Sequence, residues 1–444
     1  MRDDERLALA ERALGDGGGD ALEAVVVDGE LALTRYTRSA IHQNLDETSV
    51  TVNFRAVVDG RAGFASTSAR DESSLRATAA KAAEQARFAP KPAVPVTLPK
   101  PAAYAPPEGA FDRATASATP EVRANAAAAV FNVAEEAGAW AAGYVATSRD
   151  AIAIANTNGL RAAFSSTDSG VNVKCIATQA SGFAETYSRR FGALDAVALA
   201  RSAASKARDA GELQSCDVGE WTVVAEPPAV GELLRYLLPH FSAQRVDEGG
   251  SFVSDGLDRR YVGENVSLVD DYAHPLHAGR PFDSEGTPTQ RVALLENGVA
   301  RSFVTDTEWA ARLGLANTGH YAPEVGYVDG PQPRYPVVAP GKRTRDELIA
   351  STKRGILISR CWYIRVVDQR KTIVTGMTRD GTFLIENGHI TSGLRNLRFN
   401  VNILGLLNAC EFSCEQARTH GYWDYMVVPA ARFERFNFSS VTSY

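Results

Sequence analysis

The residues with chemical potential fall into a few groups. Asp283 and Glu285 stand in Phe282-Asp-Ser-Glu-Gly-Thr-Pro-Thr289, Asp380 stands in Arg-Asp-Gly381, and Glu386 stands in Leu-Ile-Glu-Asn-Gly388. Neighbouring carboxylates can divide the work of general acid and general base. In turns rich in Gly, Pro and Asn they more often accept hydrogen bonds from backbone N–H groups, and the flanking residues favour that role. His274 and His277, three residues apart beside Asp270 and Asp271, could be drawn as metal ligands. Pro275 and the loop composition favour a solvated turn instead. Cys410 and Cys414, with His420 beyond, would share a face of an expected helix over 404–416. Two thiolates and a distant imidazole could bind zinc, but a second ligand pair is missing, so buried free thiols are expected. Cys361 lies between Arg360 and Arg365 in a strand-like run, where basic neighbours favour a thiolate and core packing competes with that role. No Gly-x-Ser-x-Gly elbow and no His-Glu-x-x-His is present.

These residues need β structure to place them. The runs Leu295-Glu-Asn-Gly298 and Leu384-Ile-Glu-Asn-Gly388 each close an apolar segment with a hairpin dipeptide, about ninety residues apart. Asp380-Gly381 is read as the turn opening the second of these segments. In the first half of the chain, strands are expected at 24–27, 31–36, 39–43 and 50–58, the last turning at Asp59-Gly60 into Arg61–Thr67. The Gly15–Asp20 cluster lacks the strand and the Lys-Ser/Thr ending of a phosphate loop and is read as a connector.

An internal repeat organises residues 1–212. Ser49-Val-Thr-Val-Asn-Phe-Arg-Ala56 resembles Gly170-Val-Asn-Val-Lys-Cys-Ile-Ala177, and Gly63-Phe-Ala-Ser-Thr67 resembles Gly182-Phe-Ala-Glu-Thr186. Helix alanines at 79, 82, 83 and 86 match those at 200, 203, 204 and 207. The expected fold class is α+β: an N-terminal α/β domain (1–212) of two related sheet-plus-helix halves, then a β-rich domain (217–444). Residues 89–109 hold seven prolines and read as a strap across the surface. Within the second domain, helices are expected at 230–238, 306–313 and 344–354 as well as 404–416.

Composition sets outer limits. The 444 residues carry a net charge of -6 and 45% hydrophobic residues, which describes a globular chain and argues against a nucleic-acid ligand. Five scattered cysteines, a charged opening Met-Arg-Asp-Asp-Glu-Arg and the absence of a long apolar run point to a reducing cytoplasm without a membrane span.

Taken together and in order, these motifs resemble the TldD/PmbA family of zinc metallopeptidase-like proteins, also labelled modulators of DNA gyrase. They include Gln43-Asn44, Asp59-Gly-Arg-x-Gly-Phe-Ala65, Asn156-Thr-Asn-Gly-Leu160, Phe282-Asp-x-Glu-Gly-x-Pro-Thr289, Asn317-Thr-Gly319 and Thr375-Gly376, with the two Glu-Asn-Gly hairpins. TldD-type chains of this family carry His-Glu-x-x-x-His on a helix opening the second domain, with a later cysteine as third zinc ligand. The matching positions here are Gly231, Glu232 and Tyr236, and His240 lies beyond Pro239.

The resemblance therefore implies the PmbA (TldE) type: a chain with no cofactor of its own, paired with a TldD-type metallopeptidase subunit that holds the zinc. The pair would enclose a cavity for unfolded or short peptides, held as an added strand. Phe282, Asp283, Glu285, Thr289, Asp380 and Glu386 are the candidates for cavity wall or structural motif. Two other readings stay open. One is a stand-alone hydrolase or peptidase, suited to a biosynthetic pathway, with a site rebuilt from Cys361, His240, Glu232 or the acidic turns. The other is a homodimer that captures peptides without cutting them.

Overall fold

A computed structural model describes residues 1–15, 19–323, 330–421 and 425–442, so residues 16–18 of the Gly15–Asp20 connector fall outside it. The first sheet has six antiparallel strands: β1 (Ala21–Thr37), β2 (Ala40–Val58), β3 (Arg61–Thr67), β4 (Trp140–Asn156), β5 (Arg161–Ile176) and β6 (Ser181–Ser188). Their spatial order is β3-β2-β1-β4-β5-β6, so two three-stranded meanders meet at the β1–β4 pair. The short strands expected from the turn residues are fused: β1 and β2 are 17 and 19 residues long and turn at Arg38-Ser39, both at positive φ. Helices α1 (Asp3–Leu14), α2 (Glu72–Phe88), α3 (Arg113–Ala116), α4 (Pro120–Glu136) and α5 (Ala196–Asp209) follow in chain order. Residues of α1, α2, α4 and α5 pack on one face of the sheet, against Ala24, Val26, Phe54, Val145, Val171 and Val173. Strand alternation then turns Glu23, Val25, Arg55, Ile152, Phe164 and Asp168 to the other face, which carries no such helix layer among the described residues.

The two halves are built alike. Each ends in an alanine-rich helix capped by an aspartate, Asp71 accepting from Ser74 N and Asp195 from Ala198 N. Each helix lies directly on a glycine. A Cβ on Gly63 would sit 2.2 Å from Ala82 O, and one on Gly182 would sit 2.1 Å from Ala203 O. The register refines the repeat. Gly63 pairs with Ala56 and Gly182 with Cys175, so Ala56 corresponds to Cys175, not Ala177. A two-residue shift keeps every side chain on its face, which is why the alternation alone could not detect it.

The second sheet comprises β7 (Gly219–Ala225), β8 (Leu268–Asp270), β9 (Val292–Glu296), β10 (Val299–Ala300), β11 (Pro336–Val338), β12 (Arg354–Asp368), β13 (Ile373–Glu386), β14 (His389–Gly393), β15 (Leu397–Asn402), β16 (Cys410–His420) and β17 (Tyr425–Val441). β7 pairs with both β12 and β17, closing β7-β12-β13-β15-β17 on itself around Val223, Ile356, Phe399, Phe433 and Phe436. Asn297-Gly298 and Asn387-Gly388 turn their hairpins with both residues at positive φ. Asp380-Gly381 makes no turn. Both residues lie inside β13 where the register slips opposite Ser359, a β-bulge. The expected helix at 404–416 is also corrected: it spans only Ile403–Asn408, and Cys410, Cys414 and His420 lie on β16. Pairing with β17 overrides the helical spacing of the apolar residues there.

The proline-rich segment cannot donate from its prolines, so its carbonyls are held by side chains. Asn156 Nδ2 donates to Pro99 O at 2.8 Å and Asn158 Nδ2 to Leu98 O at 2.7 Å. Tyr104 OH then reaches Gly286 O at 2.6 Å, tying the segment to the second half of the chain. Gly63→Ala and Gly182→Ala are each expected to destabilise by about 1–3 kcal/mol through overpacking against a helix backbone. Gly192→Ala, which meets nothing within 4 Å, should be near neutral in the same urea titration.

Candidate functional site

β7 leads through Glu226 into α6 (Pro227–Leu234), whose first two residues are prolines suited to a helix N-terminus. A 3₁₀ segment, Arg235–Phe241, continues it, so the single helix expected over 230–238 is split. Ala229, Val230, Leu233 and Leu234 enter the core. Glu232 and Tyr236, one turn apart, face a cavity of about 760 Å³ between α6, β12 and the second half of the first sheet.

Inside this cavity Glu232 Oε2 accepts from Cys361 N at 2.6 Å, and Oε1 lies 3.5 Å from the Arg360 guanidinium. Burial pushes the Glu232 carboxyl up to about 7; Arg360 opposes the shift and the charge of Glu185 adds to it. Glu185 accepts from Tyr187 OH at 2.9 Å, whose oxygen lies 2.9 Å from Tyr144 OH. Its carboxyl is also raised by burial. Arg360 is fixed over the rings of Phe183 and Trp362 and lies 3.9 Å from Asp380. Lys174 meets the same Asp380 at 2.5 Å. The cavity thus holds a compensated set of carboxylates, guanidiniums and phenols able to bind polar groups and exchange protons near neutral pH.

The residues do not fit a zinc ion coordinated in the His-Glu-x-x-x-His manner. A Cβ on Gly231 would lie 2.3 Å from Thr419 Oγ1, so the first ligand position is filled from β16. Tyr236 turns its hydroxyl to Ile364 O at 2.8 Å. Arg360 adds positive charge beside Glu232, opposing a dication. Among the described residues, no three His, Cys, Asp or Glu side chains group so as to hold a metal.

The other candidates disperse. Cys361 lines the cavity, but burial and Glu232 hold its thiol well above the ordinary range, so the flanking arginines do not make a thiolate. His240 is buried elsewhere, stacked on Phe252 with Nδ1 accepting from Phe252 N at 3.4 Å, and burial lowers it to about 4. A site combining Cys361, His240 and Glu232 is therefore not assembled. His277 is buried on Pro336 O at 3.1 Å, correcting the solvated turn, and its ring centroid is 6.3 Å from that of His274. Cys414 is exposed, correcting the expected buried thiol, and Cys410 is half-buried. Cys410 and His420 stand ten residues apart along one strand, too far for a shared ion.

The Phe282–Thr289 loop is a clamp. Asp283 accepts from the N–H groups of Glu285, Thr287 and Tyr321 at 2.9–3.0 Å, and burial pushes it up to about 8. Glu285 pairs with Arg55 of β2, which also meets Glu23 of β1 at 3.1 Å. Phe282 packs under Tyr104, and Thr289 Oγ1 donates to Gly319 O at 3.1 Å. Glu386 is exposed and accepts only from Thr391 at 3.1 Å among the described contacts.

Sequence reasoning missed Glu185, Arg360 as a paired cation, and Thr419. The repeat held one signal: in the Gly-Phe-Ala step, Glu185 stands where Ser66 stands in the first copy.

Residues 22–86, 112–210 and 218–440 match, in turn, domain 1, the central domain and the C-terminal domain of the PmbA/TldA metallopeptidases. The chain belongs to the TldD/PmbA family. The structure of TldE from Thermococcus kodakarensis superposes with a TM-score of 0.86 at 21% identity, over 98% of this chain and 99% of that one. A zinc metalloprotease TldD homologue of Saccharolobus solfataricus is 27% identical over 201 residues, 44% of this chain and 43% of the relative. A metalloprotease PmbA homologue of Haemophilus influenzae is 28% identical over 164 residues, 35% and 33% of the two chains. Each of these two sequence matches spans less than half of the relative's length. No helix among the described residues is long and apolar enough to cross a membrane.

Because the Glu232 carboxyl is raised in the folded chain, the native state keeps a proton between pH 4.5 and about 7 that the unfolded chain has released. That contribution to stability is full below pH 4.5 and lost as pH rises through 7. Glu232→Gln is expected to lose less stability than the parent between pH 5 and pH 8, read from thermal melts at the two pH values.

Proposed function

We propose that this chain is the TldE-type partner of a TldD-type zinc metallopeptidase, a cytoplasmic pair acting on unfolded or short peptides. The carrying observation is the filled α6: Thr419 takes the space beside Gly231, and Tyr236 is committed to Ile364 O. The partner would hold zinc and hydrolyse the peptide bond. This chain would supply cavity wall and a strand edge. From Ala40 to Thr51 the outer edge of β2 has no strand beside it among the described residues, because β3 begins pairing at Val52, and most of that stretch is exposed. An extended peptide can add there through backbone hydrogen bonds, which tolerate varied sequence.

A second reading, a stand-alone hydrolase, draws on one observation: Glu232, pushed up to about 7 by burial, shares a half-open cavity with Glu185. Unfolded peptide should be cut when this chain is mixed with a TldD-type chain, and not by this chain alone. Turnover by the pure chain that disappears in Glu232→Ala or Cys361→Ala would establish the second reading instead.

A further inference from the structure

Where the Phe282–Thr289 loop meets the first sheet, buried carboxylates outnumber the cation between them. Glu23 of β1 and Arg55 of β2 come from the first sheet, and Asp283, Glu285 and Asp306 from the second half of the chain; all five are buried. Arg55 is shared between Glu285 and Glu23, the latter at 3.1 Å. Asp283 accepts only backbone N–H groups, those of Glu285, Thr287 and Tyr321. Asp306 accepts from Trp309 N at 2.8 Å, capping the helix Thr307–Leu313. Four carboxylates thus face one guanidinium across the boundary between the two halves.

The other groups packed here do not change that balance. Thr307 donates to Glu285 from N at 3.3 Å and from Oγ1 at 2.5 Å, and Asn317 Nδ2 donates to Thr307 Oγ1 at 3.0 Å. Arg55 lies over the Tyr321 ring, 5.8 Å from its centroid. Tyr104 faces Asp283, and Glu308 faces Asp306. Arg280, on the same loop, donates to Phe282 O and Ser284 Oγ, both at 2.8 Å, and makes no ion pair with the four carboxylates.

With every carboxylate ionised the cluster would carry a net charge of about -3, which a buried site holds only at large cost. Protons relieve that cost. Burial pushes Glu23 and Asp306 up to about 7, and the charge of Glu285 adds to both; Arg55 opposes the shift at Glu23 and the Trp309 N–H opposes it at Asp306. An acid raised on folding stabilises the folded contact while it keeps its proton, and that contribution is lost as pH rises through the raised value. Above about pH 8, Glu23 on the first sheet therefore faces three ionised carboxylates with only Arg55 between them. Glu23, Arg55, Ser284 and Tyr321 also line a cavity of about 840 Å³ on the bare face, so moving the loop removes part of its wall.

We propose that this cluster is a pH-sensitive latch, which holds the Phe282–Thr289 loop and the helix Thr307–Leu313 on the first sheet at acid and neutral pH and releases them in mild alkali. Release widens access to the cavity and leaves the strand pairing of each sheet in place. The latch works whether or not a partner chain is bound.

Hydrogen exchange of the full chain, read by mass spectrometry at about pH 6 and about pH 8.5 with times scaled for the intrinsic exchange rate, tests this. Protection of residues 283–291 and 305–310 should fall at least about tenfold between the two, while β13 keeps its protection. Asp306→Asn keeps a side chain able to cap the helix and removes one ionisation, and Glu23→Gln removes another. Each variant should reduce the fall to about threefold or less. Equal protection of the loop at both pH values would overturn the latch. So would a fall shared equally by β13, or a full tenfold fall in both folded variants.

Discussion

Asp168 of β5 receives Arg418 from β16 and Arg189 from the end of the first sheet, and Arg55 of β2 receives Glu23 and Glu285. These buried ion pairs join the two sheets at points where neither presents a continuous apolar face. Removing one partner of such a pair leaves a buried charge, at a cost of about 3–5 kcal/mol, so their geometry is held firmly. Between and beside them the bare face of the first sheet does not collapse onto the second. Apolar contact between the halves is gathered in two patches, Phe282 against Ile152, Leu160 and Phe164, and Ala180 and Ala210 against Val224, Leu357 and Phe383.

The bare face of the pseudo-symmetric first sheet carries two cavities, each lined from both halves, and the two differ in chemistry. Ser66 lines the first, and its counterpart Glu185 lines the second. The first has an apolar floor of Val25, Val27, Phe64, Ile152 and Phe164; the second holds glutamates against arginines beneath α6. One scaffold thus presents two different recesses to the same intersheet space. In the second recess, Arg360 sets its positive charge 3.5 Å from Glu232.

Much of the scaffold was legible in the sequence because it depends on local rules. Alternating strands, Asn-Gly hairpins, the Gly-Phe-Ala step and the alanine faces of α2 and α5 each carry their cause in neighbouring residues. The site was less legible because its members are distant in sequence. Glu185, Glu232, Arg360 and Thr419 come from β6, α6, β12 and β16, and no spacing links them. Apolar residues at 403–407 carry a helix period that extends the expected helix to residue 416, whereas strand pairing with β17 decides the segment from Cys410 on. Asp380-Gly381 reads as a turn in the sequence because a bulge uses the same positive-φ residues as a hairpin. The altered positions Gly231 and Tyr236 were visible at once, but only the fold shows what occupies their space.

The central claim is that α6 in this chain is built without a zinc site, its chemistry left to a partner. Equilibrium dialysis of the pure chain against zinc, followed by elemental analysis, tests it most directly. The account predicts well below about 0.1 zinc retained per chain. Retention of about one zinc per chain, lost in Glu232→Ala, would contradict it.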